Sequence, residues 1–319
     1  MRETLERLFL KTVRLYTFNT PLPKGKYRLS ETALRQCRAA PQKIITQSAD
    51  GRNFEVDLTG GMHDGVFFFG EYEPAVSEVV SAIVRQNDVC LDIGANFGWF
   101  TTLLARLTGA EKAASVHAFE PMPDVFDGLK INVRLNDLPD NVFLNNLALG
   151  DEIKRVSLHR FADLPSGHSS LSDMGKKEFQ TFDVPMTTLN SYLAEHKIDN
   201  VDFIKLDIEG AEMMFLRGAT KLFEQPIPPF IIAEMALGTT KGFGYLPNDL
   251  IEFIRRCADY RLYALDETKF VLEEIEGFTP EQIGANVLCV PRNCDPKRLK
   301  KLKFKRSKSS NLAFSISLF

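Results

Sequence analysis

The stretch Val89-Cys90-Leu91-Asp92-Ile93-Gly94-Ala95-Asn96-Phe97-Gly98-Trp99-Phe100 joins an apolar run ending on an acid to a glycine-spaced turn and a helical segment rich in Leu and Ala. A strand–turn–helix of this kind lets a nucleotide-type ligand approach bare backbone and a helix N-terminus. The turn reads Gly-x-Asn-x-Gly rather than Gly-x-Gly-x-x-Gly, and a carboxylate precedes its first glycine. Asp92 would repel a dinucleotide pyrophosphate and attract an ammonium group, so the turn suits S-adenosyl-L-methionine better than NAD. Glu120 lies 22 residues after Gly98, where an acid in this architecture accepts the ribose hydroxyls of a bound nucleoside. That spacing serves either cofactor. A third run, Val142 to Leu147, would bring Asn146 and Leu147 to the adenine, or Asn145 or Ala148 if the register slips by one.

The second chemical signal is Phe203-Ile204-Lys205-Leu206-Asp207-Ile208-Glu209-Gly210-Ala211-Glu212. A lysine inside a strand covered on both faces requires a partner for its charge. Strand alternation puts Lys205 and Asp207 on one side, with Glu209 just past the strand end. Next to the first strand, this strand would aim Asp207 and Glu209 into the cofactor crevice. For an alcohol acceptor, the candidate general bases are Asp207, Glu209, Glu234 and His168. A carboxylate beside Lys205 is a weak base, Glu234 ends the neighbouring apolar strand, and His168 has a suitable intrinsic pKa. A Mg²⁺ ion held by Asp207, Glu209 and Glu234 is a less favoured alternative, so no metal is expected. His63, His117, His159 and His196 read as structural or exposed.

These residues need a scaffold, and the pattern around them supplies one. Strand-like runs end at Asp92, Glu120, Leu147, Asp207 and Glu234, and helical runs lie at 99–107, 124–136, 187–196, 211–223 and 248–258. The alternation predicts an α/β fold, a doubly wound, mostly parallel sheet with helices on both faces. Residues 261–265 and 286–290 would close it as an antiparallel pair. An insertion at 153–185, with strand-like pieces at 156–160 and 182–185, breaks the rhythm near the ligand end. Upstream, residues 2–17 have helical spacing, 53–58 and 65–69 read as a hairpin, and a helix spans about 74 to 86.

Five segments appear in order: Asp92 to Gly98, Phe119-Glu120-Pro121, Gly167-His168-Ser169-Ser170-Leu171, Pro185-Met186-Thr187-Thr188-Leu189 and Lys205 to Glu212. Together they resemble the FkbM-type family of S-adenosylmethionine-dependent methyltransferases over about residues 66–236, from Gly70-Glu71-Tyr72-Glu73-Pro74 to Ile231-Ile232-Ala233-Glu234. The resemblance implies a class I, Rossmann-like methyltransferase fold with a seven-stranded sheet, and methyl transfer to a hydroxyl of a sugar or small natural product. By the family's motifs, Asp92, Gly94, Asn96 and Gly98 line the methionine end, Glu120 takes the ribose, and Asp207 and Glu209 lie near the methyl group. Tyr72, Phe97 and Pro121, within matching segments, are counted with the cofactor contacts. His168 departs from the usual small residue of its loop.

Charge divides the chain unevenly. Residues 297–308 carry eight Lys or Arg and no acid, leaving 31 basic side chains against 42 acids in residues 1–296. The expected organisation is an N-terminal extension (1–60), a methyltransferase domain (61–292) and a basic, flexible tail (293–319). The tail could touch anionic lipid weakly, and the acidic body argues against a nucleic-acid partner. Acceptor specificity would reside in 153–185, the region near 53–73 and a lid-like segment at 238–245. No apolar run approaches the roughly 20 residues that span a bilayer, and the five cysteines form no CxxC pair. A cytoplasmic setting with buried free thiols is expected. Two rival readings are an NAD-dependent oxidoreductase and an RNA-binding or RNA-methylating protein using the tail.

Overall fold

The computed structural model describes residues 2–20, 25–37, 43–58, 63–111, 113–161, 169–171, 179–279 and 282–305. Helices α1 (Arg2–Asn19) and α2 (Lys26–Gln36) precede a hairpin of β1 (Lys43–Gln47) and β2 (Asn53–Asp57). The α1 helix packs through Leu10 and Val13 into the same apolar cluster as Phe54 and Phe68. The expected hairpin of 53–58 with 65–69 is not formed. Residues 64–69 are a helix, α3 (Asp64–Phe69), closed by Gly70 in the left-handed conformation. A short aromatic run is ambiguous between strand and helix, and a left-handed glycine decides for the helix.

The core begins with α4 (Pro74–Ile83), followed by β3 (Val89–Ile93), α5 (Trp99–Thr108), β4 (Ser115–Phe119), α6 (Pro123–Arg134) and β5 (Val142–Asn145). The third predicted strand ends at Asn145. The chain then leaves the sheet for β6 (Ala148–Leu149), β7 (Lys154–Phe161), β8 (Ser169–Ser170) and β9 (Phe179–Thr187), which form a separate four-stranded sheet. This is the expected insertion, and β7 and β9 pair antiparallel along their full length. His168 lies outside the described residues. Thr188 caps α7 (Leu189–His196), its hydroxyl accepting the Ser191 N–H at 3.1 Å.

The chain returns through β10 (Phe203–Leu206), α8 (Glu212–Arg217), β11 (Phe230–Ala236), α9 (Leu237–Thr240), α10 (Pro247–Cys257), β12 (Tyr260–Asp266), β13 (Val271–Glu274) and β14 (Gly284–Pro291). The main sheet has the order β13-β12-β14-β11-β10-β3-β4-β5. Its block β11-β10-β3-β4-β5 is parallel, and β14, β12 and β13 each run antiparallel to the strand before them. The fold is therefore α/β with a mixed sheet of eight strands, not seven. The added strand β13 folds back on β12 because Asp266 Oδ1 accepts the N–H groups of Thr268 and Lys269, forming a side-chain-closed turn. Chain order reverses between β3 and β10, which opens a crevice at their C-terminal ends.

Residues 293–305, assigned to the tail on charge, are docked. Arg298 donates to both oxygens of Asp88 at 2.7 and 2.6 Å, and Leu302 is buried beside β13. Asp88 and Asp202 also accept the N–H groups of Arg85 and Val89, so Arg298 neutralises the N-terminal edge of β3 and β10. At the other terminus, Asn132 of α6 and Asn136 just past its end accept the N–H groups of Glu55 and Asn53, bonding β2 to the body. Among the described residues no helix is long and apolar enough to cross a membrane, and the five cysteines are free.

Candidate active site

Parallel pairing sets Lys205 of β10 opposite Asp92 of β3 and Ile232 of β11. Register neighbours share a face, and the face repeats every second residue. Asp92, Lys205, Asp207 and Glu234 therefore project to one side of the sheet's C-terminal edge. Glu73 reaches the same point from the start of α4, with a left-handed backbone (φ 42°) ahead of Pro74. Glu209 follows one turn after β10. One lysine and five carboxylates gather at a cleft between the sheet edge and the insertion.

Lys205 is 2% exposed. Its Nζ donates to Asp207 Oδ2 at 3.0 Å, lies 3.8 Å from Glu73 Oε2, and sits 5.1 Å from the centre of the Phe100 ring. Burial would strip its proton, but Asp207 and Glu73 outweigh burial and raise its pKa. The carboxylates are pushed toward their neutral forms. Burial, then the neighbouring charges of Asp207 and Glu234, raises Glu209 to about 8. Burial and Asp207 raise Glu234 to about 7, against the pull of Lys205. Burial holds Glu73 at about 6.

Asp92 is 1% exposed and raised to about 6 by burial. Its Oδ2 accepts the Thr101 hydroxyl at 2.5 Å, whereas Oδ1 is buried with no hydrogen-bond partner. A buried oxygen of this kind calls for a donor. Glu120 is raised to about 7 by burial, and its two oxygens accept the N–H groups of Asn96 (3.0 Å) and Met122 (2.9 Å). Those bonds aim the carboxylate into the cleft and leave further lone pairs open. Asn96 takes a left-handed conformation (φ 50°) that asparagine tolerates.

Tyr72, Gly94, Asn96, Phe97, Glu120, Pro121, Lys205, Asp207, Glu209 and Glu234 all line the cleft. Three expected contacts do not. Asp92 stands behind the lining, buried under it. Gly98 has φ +91° and would drive a Cβ to 2.6 Å from Leu129, so its glycine serves the packing of α6. Asn146 turns away, its amide donating to the carbonyls of Glu120 and Pro121, whereas Leu147, expected beside it, lines the cleft together with Ala148. Gly94 lines the cleft for a reason other than ligand approach, since a Cβ there would lie 1.8 Å from the Asp207 carbonyl oxygen. Glu73 was inside a matching segment but not counted as a site residue; its signal was a charged residue immediately before a helix-starting proline. Among the described residues no group of three or more His, Cys, Asp or Glu is placed to hold a metal ion.

The chain is 28% identical over 162 residues to the 31-O-demethyl-FK506 methyltransferase FkbM of Streptomyces tacrolimicus, covering 42% of this chain and 60% of that one. It is 25% identical over 154 residues to the hexuronic acid methyltransferase AglP of Haloferax volcanii, covering 48% and 58%. The chain thus spans about 60% of the length of these curated relatives. A crystal structure of an FkbM methyltransferase from Methylobacillus flagellatus superposes with a TM-score of 0.42 at 13% identity, covering 89% of this chain and 59% of that one. Residues 92–262, more than half of the chain, match the methyltransferase FkbM domain. The chain belongs to the FkbM methyltransferase family.

Proposed function

We propose that the chain is an S-adenosyl-L-methionine-dependent O-methyltransferase whose acceptor is a hydroxyl of a carbohydrate or small natural product. The observation that carries this reading is the unpartnered, buried Asp92 Oδ1 beneath the lining of an acid-rich cleft. The residues present fit the cofactor. Asp92, beneath the lining, would attract its ammonium, Glu120 would accept from its ribose hydroxyls, and the rings of Tyr72 and Phe97, 5.1 Å apart, would wall its side. A pyrophosphate finds no such match, because every charged group in the lining except Lys205 is an acid.

When bound, the cofactor supplies a methyl group already activated on a sulfonium, so alignment of the acceptor is the main demand on the protein. The lining divides that work by proton state. Glu234, near 7, takes the hydroxyl proton on its carboxylate, close to the pH at which a general base is most effective. Glu209, near 8, keeps its proton at neutrality and donates a hydrogen bond to the acceptor. Asp207 stays tied to the Lys205 ammonium and lends negative charge to the methyl end. The names of the relatives, one acting on 31-O-demethyl-FK506 and one on hexuronic acid, support the acceptor class. Methyl transfer from radiolabelled cofactor to a panel of glycans and small alcohols tests it. Label in a hydroxyl-bearing product is the expected result; label only in RNA or protein would overturn the acceptor class.

A further inference from the structure

The turn that carries Glu209 into the cleft is backbone-strained and held from behind. Glu209 has φ 54° and Gly210 φ 101°, two successive residues on the left-handed side. A non-glycine residue there is strained and persists only where its surroundings over-determine it. Three contacts do so. Glu212, 1% exposed, accepts the N–H groups of Ile208 and Gly210 on Oε1, each at 3.2 Å. The Tyr245 hydroxyl donates to the Gly210 carbonyl at 2.6 Å and touches Glu212 Oε2 at 3.1 Å. Gly210 is also covered so closely that a Cβ would lie 2.6 Å from the Thr239 carbonyl and 2.8 Å from the Phe243 ring.

We propose that Glu212 and Tyr245 are positioning residues, a buried carboxylic acid–phenol clamp through which the segment 237–246 holds Glu209 in the cleft. Its functional consequence rests on the methyltransferase reading; its geometry does not. A tyrosine hydroxyl has one proton, and at 2.6 Å that proton belongs to the Gly210 carbonyl. The contact with Glu212 Oε2 is then closed by a proton on Glu212, so the acid works in its neutral form. Burial raises the Glu212 pKa in the same direction. The lid-like segment at 238–245 is thus a short helical cover, bonded to the loop that carries Glu209.

The clamp is tested on the full chain by hydrogen exchange of the 207–213 peptide in Tyr245→Phe, Glu212→Ala and Glu212→Gln. A glutamine reproduces the neutral acid, its carbonyl accepting the two N–H groups and its amide donating to Tyr245. Exchange in Tyr245→Phe and Glu212→Ala should rise roughly ten-fold, the worth of one or two hydrogen bonds. Glu212→Gln should exchange like the wild type, and peptides from β3 should not change in any variant. Wild-type exchange in Tyr245→Phe, or Glu212→Gln exchanging as fast as Glu212→Ala, would overturn the clamp. Binding of S-adenosyl-L-methionine to the same proteins is read separately. Its absence in the wild type would remove the methyltransferase reading while the exchange data still decide the clamp.

Discussion

Replacing Lys205 with methionine removes the cation from the cluster, and from above the Phe100 ring, while keeping an unbranched apolar stem. The ammonium is 3.0 Å from Asp207 and 3.8 Å from Glu73, at 2% exposure. Removing one partner of a buried ion pair costs about 3–5 kcal/mol when the other stays charged. The facing acids decide whether it does. Their folded pKa values, about 6 for Asp92 and Glu73 and about 7 for Glu234, already lie above the unfolded ones. Such groups favour the folded state below the unfolded pKa, and that advantage is lost as pH rises through the folded value. Without Lys205 the folded values rise further, so the deficit of the variant widens between about pH 5 and pH 8. At pH 8 the full 3–5 kcal/mol should appear, a drop in Tm on the order of 10 °C. At pH 5 the carboxyls hold their protons and most of the loss should vanish. Thermal unfolding of both proteins at pH 5 and pH 8 is the assay. An equal loss at the two pH values would refute the reasoning, because it would assign Lys205 a packing role alone.

Other substitutions separate the remaining parts of the account. Glu234→Gln should lower methyl transfer about 10²- to 10⁴-fold and leave cofactor affinity within a few fold by calorimetry; full activity would exclude Glu234 as the base. Gly94→Ala places a Cβ 1.8 Å from the Asp207 carbonyl at φ +81°, so it should cost more than about 3 kcal/mol, read as a lowered Tm. An unchanged Tm there would mean that β3 and β10 are not in the close register described. Arg298→Ala leaves Asp88 and Asp202 facing each other across β3 and β10 and should cost about 2 kcal/mol. The loss is read as a lowered Tm, and an unchanged Tm would contradict the clamp at that edge.

The parts of the site legible in the sequence were those encoded by short-range pattern. Val89–Ile93 and Phe203–Leu206 are near-continuous apolar runs, so their strand state, central position and parallel pairing followed from burial on both faces. Lys205 stood out because a charge in such a run demands partners, and the structure supplies Asp207 and Glu73. What failed depended on distant contacts or single-residue geometry. Of Asn146 and Leu147, both expected at the adenine, only Leu147 lines the cleft, because the strand stops at Asn145, a register detail that alternation cannot resolve. The glycines at 94 and 98 were read as openings for ligand, yet both answer to neighbouring backbone and side chains. Residues 293–305 looked solvated by charge count, whereas Arg298 finds Asp88 across 210 positions of sequence. The Glu212–Tyr245 contact, 33 positions apart, was invisible for the same reason.

The most direct test of the central claim is calorimetric titration of the wild type and Asp92→Asn with S-adenosyl-L-methionine, with NAD in parallel. The account expects micromolar binding of the sulfonium compound alone, and at least ten-fold weaker binding when Asp92 loses its charge. Binding of NAD instead, or equal affinity in the two proteins, would contradict it.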